Sequence, residues 1–285
     1  MTIMTLKIAG PDRFGTIELP DGRALGWAER GPSDGVPVLL CGGAGWSRWL
    51  GFDAPGVRLV TVDRPGLGAS SPQPGRTLLD WADDVAHLVA ELGLDAPRVV
   101  GFSQGAPFAL ACAARGIASA AAVVSGGDEL AHPAFAECLP PDIRGLVDLV
   151  ASDPAAAEAE FAAFGDPDTM WRLSVEGSPA VDRAVYLRPD FEAAFRRALS
   201  EGFAQGAGGY ARDTVLHLSR WPFAVEDIAV PVDLWYGGQD TNPTHSPDFG
   251  ATLAGRIPGA RRHFLPEAGG ALLWTHAEQI VQVDA

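Results

Sequence analysis

Five stretches of the chain are apolar almost throughout and stop abruptly at small or polar residues: VPVLLCGGAG (Val36–Gly45), VRLVTVD (Val57–Asp63), RVVGF (Arg98–Phe102), AAAVVSGG (Ala120–Gly127) and PVDLWYGGQD (Pro231–Asp240). A strand that alternates polar and apolar residues has one dry face. A strand apolar on both faces needs helices above and below, which is the condition of a parallel sheet. The intervening text supplies those helices. Leu78, Trp81, Val85, Leu88, Val89 and Leu92 recur at helical spacing up to Gly93, a residue suited to a helix C-terminus. An alanine-rich helix follows Gly105 as far as Arg115. Late in the chain come a helix near Phe249–Ala254, a strand over Arg261–Leu265 and a final helix from Ala271. Ahead of all this, Asp21-Gly22 reads as a hairpin turn between two short strands. The alternation predicts an α/β fold with a mostly parallel, doubly wound sheet.

The alternation lapses between Asp128 and Pro222, where AAAEAEFAAF, DFEAAFRRALSEGF and RDTVLHLSRW read only as helices. The expected organisation is therefore a core formed by residues 1–127 and 223–285, interrupted by a helical cap over 128–222. A chain of 285 residues has room for one large α/β domain with such an insertion.

Composition narrows the function. Apolar residues make up 47% and charged residues 20%, so the chain is not of the disordered class. With 36 acidic and 21 basic side chains the net charge is -15, and Lys7 is the only lysine. Such a surface repels polyanions, which argues against nucleic-acid and anionic-membrane partners. No run approaches the roughly 20 apolar residues of a membrane span. MTIMTLKIAG has no basic region leading into a long apolar core, so no secretion signal is expected. Cys41, Cys112 and Cys138 are odd in number and far apart, which suggests neither a disulfide framework nor a zinc site. A cytoplasmic location is the expectation.

Chemistry concentrates at Gly101-Phe102-Ser103-Gln104-Gly105, between a buried strand and a helix. Glycines on either side of such a turn let strand and helix approach closely, and the serine hydroxyl stands at the apex. A carbonyl oxygen gaining negative charge there would face the Gln104 N–H and the positive end of the helix. Cys41-Gly42-Gly43-Ala44-Gly45, after an earlier strand, can supply a second N–H from Gly43. That loop lacks the GK[ST] ending and the G-x-G-x-x-G pattern of nucleotide sites, and no cofactor motif or metal-ligand spacing occurs elsewhere.

With these segments in order, the chain resembles the α/β-hydrolase superfamily over nearly its whole length. The matching features are the glycine loop, Asp63-Arg64-Pro65-Gly66-Leu67-Gly68-Ala69-Ser70, the Ser103 elbow and Trp235-Tyr236-Gly237-Gly238-Gln239-Asp240. The resemblance implies Ser103 as nucleophile, Asp240 as the acid of a triad, and Gly43 and Gln104 as oxyanion donors. Asp63 and Arg64 would stabilise a turn. Two positions depart from the family. Cys41 stands where a histidine usually precedes the oxyanion glycine, and Gly270 stands where the catalytic histidine is expected.

The second departure is the serious one. A serine hydroxyl needs a neighbouring base, and in subtilisin loss of the histidine costs roughly a millionfold in kcat. His245, five residues after Asp240, lies on the correct edge of the sheet. His276 lies six residues beyond Gly270, on the final helix, whose side chains there normally point outward. His87 and His263 belong to an early helix and the last strand. His132 and His217 flank the cap and suit substrate contact better than proton transfer. None stands out as the replacement. The function expected is thus a serine hydrolase of a small apolar ester or lactone, inactivated or atypical as written. The alternative is a non-hydrolytic member of the fold, with lyase- or cyclase-type chemistry or ligand binding alone. Trp46 and Trp49, after the glycine loop, and Trp171, in the cap, are the candidate pocket residues. Most large apolar cap residues should instead pack the cap onto the core. The expected partner is a small apolar molecule, with homo-oligomerisation left open.

Overall fold

In the computed structural model, which describes Ile8 and residues 10–281, the apolar runs form the centre of one eight-stranded sheet. The segment read for a secretion signal lies outside the described residues, apart from Ile8 and Gly10. The chain opens with β1 (Arg13–Glu18), β2 (Ala24–Arg30), β3 (Val36–Cys41) and β4 (Val57–Val62). Then come α1 (Leu78–Glu91), β5 (Arg98–Phe102), α2 (Ala106–Ala114) and β6 (Ala120–Val124). Six helices follow: α3 (Pro141–Ser152), α4 (Pro154–Phe164), α5 (Pro167–Val175), α6 (Ala180–Tyr186), α7 (Pro189–Gly202) and α8 (Gly208–Leu218). The chain closes with β7 (Val232–Gly237), α9 (Ala251–Arg256), β8 (Arg261–Leu265), α10 (Leu272–Thr275) and α11 (Ala277–Val281).

Strand order is β1-β2-β4-β3-β5-β6-β7-β8; β2 runs antiparallel to β1 and β4, and the strands from β4 to β8 are parallel. The period of two sorts side chains between two cores. Leu39, Val60, Val99, Ala121 and Leu234 face Trp81, Leu88 and Phe108 on one side of the sheet. Val38, Leu40, Leu59, Val100 and Ala122 face Trp274, Ile280 and the aromatic residues of α4–α8 on the other. That is why these runs read as apolar throughout.

Local chemistry fixes the element ends. Thr77 and Asp80 form a reciprocal capping box at the start of α1. Gly22 takes φ +84 in the hairpin turn between β1 and β2. The helix expected from Phe249 begins at Ala251 instead, because Phe249 (φ 54) and Gly250 (φ 77) are both left-handed and cannot continue a helix. The single final helix expected from Ala271 is two short ones that break at His276. Among the described residues no helix is long and apolar enough to cross a membrane.

The order β4-β3-β5 marks where the winding reverses, and the C-terminal ends of β3 and β5 lie side by side there. In open α/β sheets a crevice forms at such a reversal. The glycine loop follows β3 and Ser103 follows β5, so both open into it. The helices between β6 and β7 cover it. Phe191 of α7 meets Trp274 edge-on at 4.9 Å between ring centroids, and Phe195 lies 6.0 Å from Trp46.

Candidate active site

Ser103 has φ +52, a left-handed conformation that costs a non-glycine residue about 1–3 kcal/mol. The surroundings hold it there. A Cβ on Gly105 would run into the Cys41 carbonyl, and one on Gly101 into the backbone of Ala106 and Gly105. Bare glycines thus let β5, β3 and the helix start close around the serine, whose hydroxyl projects into the crevice.

Asp240 sits just past the end of β7, on a turn fixed by Gly238 N–H to Leu265 O (2.9 Å) and Gln239 N–H to Ala268 O (2.9 Å). The chain then curls back on itself. Asn242 N–H donates to Asp240 Oδ1 (3.0 Å), Thr244 N–H to Asn242 Oδ1 (3.0 Å) and His245 N–H to Asn242 O (3.1 Å). Two side-chain-closed turns in succession, a common use of Asp and Asn, carry His245 over Asp240. Ser246 N–H then pins the loop to Gly126 O at 3.0 Å.

The result is a relay. His245 Nδ1 lies 2.6 Å from Asp240 Oδ2, and Nε2 lies 2.8 Å from Ser103 Oγ. Burial works against the Asp240 charge, but the His245 ring beside it, the hydrogen bond from that ring and the Asn242 N–H together hold its carboxyl below the ordinary carboxylate range. An ionised Asp240 places the ring proton on Nδ1 and leaves Nε2 to accept from Ser103.

The sequence singles out no histidine as the base, whereas the structure brings His245, from the loop after β7, to 2.8 Å from Ser103 Oγ. Gly270 lies next to Asp240 on the wall of a cavity, and an added side chain would start in tight contact with that carboxylate. A Cβ there would lie 3.0 Å from Asp240 Oδ2. The Gly270 N–H donates to Asp182 Oδ2 (2.7 Å) and the Ala271 N–H to Asp182 Oδ1 (2.9 Å). Burial raises the Asp182 carboxyl, partly offset by those two N–H groups, and the Asp240 charge adds to the rise. Of the other histidines only His217 also lines the cavity, where its Nε2 contacts Thr244 O. His87 contacts Glu18 O, His263 stacks on Trp235 and bonds Asp233, and His276 bonds Thr275. His132 caps a short turn at Ala134, and burial holds His217 down to about 4, so its ring is neutral at neutral pH.

A cavity of about 640 Å³ opens at Ser103, with Gly43, Gln104, Asp240, His245 and Gly270 on its walls. Gly43 and Gln104, the residues expected to supply oxyanion donors, both line it. The Cys41 side chain points into the opposite core, away from the site. Trp46 lines the cavity, with Phe161, Phe191, Phe195 and Trp274. Trp49 and Trp171 do not, contrary to expectation. Trp49 packs against Phe14 and Arg197, and Trp171 against Phe195 and Arg196. Both offer a flat ring to a guanidinium, a use of tryptophan that the sequence position alone does not reveal. The charged side chains on the walls are Asp142, Glu160, Asp182 and Asp240, and no lysine or arginine is among them. Among the described residues no group of three or more His, Cys, Asp or Glu could hold a metal ion.

Known proteins resemble the chain at several levels. The model of the alpha/beta hydrolase family matches residues 38–283. A Mycobacterium tuberculosis protein, named provisionally as a non-heme bromoperoxidase, is 26% identical over 272 residues, covering 86% of this chain and 90% of that one. The structure of a bromoperoxidase from Bacillus anthracis superposes with a TM-score of 0.62 at 18% identity, covering 95% of this chain and 97% of its own. An esterase from Exiguobacterium antarcticum gives 0.61 at 16% identity, covering 95% and 97%. At such identities the two structures speak for a common fold.

Proposed function

This chain belongs to the alpha/beta hydrolase family, and from that premise we propose that it is a serine hydrolase of small, uncharged, apolar esters or lactones. In this reading Ser103 is the nucleophile, His245 the general base and Asp240 the acid that orients it. The observation that carries the reading is the His245 ring, with Nε2 2.8 Å from Ser103 Oγ and Nδ1 2.6 Å from Asp240. A substrate carbonyl above Ser103 would be attacked by Oγ as its proton passes to Nε2. The oxyanion would face the N–H groups of Gly43 and Gln104. His245 would return the proton to the leaving alcohol, and water would release the acyl group by the same steps in reverse. The apolar, aromatic walls suit a medium-sized hydrophobic acyl or alcohol group, and the four wall carboxylates disfavour an anionic one. The helices α3–α8 serve as the cap that excludes water.

The relatives named as haloperoxidases favour one further reading, in which hydrogen peroxide replaces water as the acceptor of the acyl group and the product is a peracid. It uses the same Ser103 acyl-enzyme and is told apart by peroxide-dependent peracid formation from a short ester.

The test is turnover of a short-chain chromogenic ester by the parent chain and by Ser103→Ala and His245→Ala. Both variants should lose turnover by about 10⁵–10⁶-fold, the loss seen when a triad serine or histidine is removed. A His245→Ala variant within tenfold of the parent would sink the assignment of the base.

A further inference from the structure

We propose that Arg64 is a positioning residue that aims the oxyanion donors, an inference that rests on Ser103 acting as nucleophile. The loop that carries Gly43 reads Cys41-Gly42-Gly43-Ala44-Gly45. Such a run has almost no side chains by which packing could set its backbone, and glycine is the residue with most freedom to lose. The constraint comes from outside the loop. Arg64, just past β4 and buried, sends Nη1 to Gly42 O (2.6 Å) and Nη2 to Gly43 O (2.9 Å). A trans peptide is planar, so its C=O and the following N–H point in opposite directions. Holding the Gly42 carbonyl toward Arg64 therefore turns the Gly43 N–H the other way, toward the side on which Gly43 lines the cavity beside Ser103.

The same guanidinium reaches the second donor's residue. Arg64 Nη2 lies 3.4 Å from Gln104 Oε1, while Gln104 Nε2 donates to Thr214 Oγ1 at 3.0 Å. The fork is itself held rigidly: Nε donates to Asp213 Oδ2 at 2.6 Å, and the guanidinium lies 4.7 Å from the centre of the Phe108 ring. Asp213 is also bonded to Arg76, so two guanidiniums share one buried carboxylate directly behind the loop. A planar donor set with fixed angles can bridge two adjacent carbonyls and a carboxylate at once. A lysine ammonium keeps the charge but not that geometry.

The experiment compares the parent with Arg64→Lys and Arg64→Met in three assays. The first is steady-state ester turnover. The second is affinity for an apolar trifluoromethyl ketone, whose carbonyl accepts Ser103 Oγ while the Ser103 proton passes to His245 and the carbonyl electron pair becomes an oxyanion. The third is affinity for the matching methyl ketone, which fills the cavity without forming the adduct. In Arg64→Lys, kcat should fall about 10²-fold, the loss expected for one misplaced oxyanion donor, with KM within about threefold. Trifluoromethyl ketone affinity should fall by the same factor and methyl ketone affinity should stay put. Unchanged kcat, a kcat loss with undiminished trifluoromethyl ketone affinity, or an equal fall of all three would each overturn the proposal. If Arg64→Met does not fold, Arg64→Lys decides. Exchange of the Gly43 amide hydrogen in the unliganded protein reads the clamp without any activity, and it should quicken at least tenfold in Arg64→Lys. A parent without Ser103-dependent turnover would refute the hydrolase reading, whereas unaltered Gly43 exchange would refute the clamp.

Discussion

A single carbon atom at position 270 is enough to test how the triad is packed. In Gly270→Ala the new Cβ would stand 3.0 Å from Asp240 Oδ2 and 3.1 Å from its Cγ, so the carboxylate must shift and His245 with it. Turnover of a neutral ester should fall about tenfold with KM little changed, since a misplaced catalytic group costs rate more than binding. Gly270→His should do no better, because its Cβ presses on the same carboxylate; a gain in turnover would return the base to position 270. Asp128, near the other side of the His245 loop, makes a different prediction. Burial lifts its carboxyl to about 7 from the ordinary 3.8; Glu129 N–H and Arg256 oppose the rise, while Asp248 and Glu129 charges add to it. Between those values the folded chain holds a proton that the unfolded chain has released. Stability therefore declines as pH rises through this window, by on the order of 4 kcal/mol at most. Denaturant unfolding at pH 5 and pH 8 should show a smaller loss for Asp128→Asn than for the parent; equal losses would mean that Asp128 is ionised throughout. At this scale the sequence was half legible. Ser103 and Asp240 stand on turns that local glycines announce. His245 does not, because its position depends on how Asp240 and Asn242 close successive turns, although the spacing Asp-x-Asn-x-x-His held the clue.

Elements were easier to read than the contacts between them. Strands β3 to β7 announced themselves because both of their faces are dry. Helices α3, α4, α5 and α7 each open on a proline, a signal of first-turn placement that would have divided the cap text more finely. What no local pattern could reveal is the link from α6 to the site. Asp182 joins residues 88 and 89 positions away, accepting from Gly270 and Ala271, so a helix between β6 and β7 holds the segment that abuts Asp240. Asp182→Ala leaves two buried N–H groups without an acceptor and should cost about 2 kcal/mol, net of the relief from no longer burying a charge. It should also lower kcat, whereas Asp182→Asn, which keeps an acceptor oxygen, should recover most of both. Thermal melting and ester turnover on the two variants check this. An alanine variant as stable and active as the parent would mean that α6 and the 269–271 segment are held by other contacts.

At the scale of the whole molecule, charge and cavity point the same way. The chain carries -15 overall, and four of its acidic residues, Asp142, Glu160, Asp182 and Asp240, line the cavity with no lysine or arginine beside them there. Asp240 is matched by His245, and Asp182 is only partly relieved by two N–H groups, so the field inside favours neutral or positive ligands. Two esters of one chromogenic alcohol separate this effect from size: a butyrate, and a hemisuccinate that carries a carboxylate at the end of a chain of similar length. At low salt kcat/KM for the hemisuccinate should be lower by at least about tenfold, because a carboxylate roughly 8 Å from another at an effective dielectric near 20 is disfavoured by about 2 kcal/mol. Salt should narrow the gap only in part. Ions screen the exposed Asp142 and Glu160 but reach the buried carboxylates poorly. A gap abolished by salt would place the selectivity in the outer surface and its long-range field. A gap that persists would place it in the cavity, at the buried carboxylates that ions reach poorly.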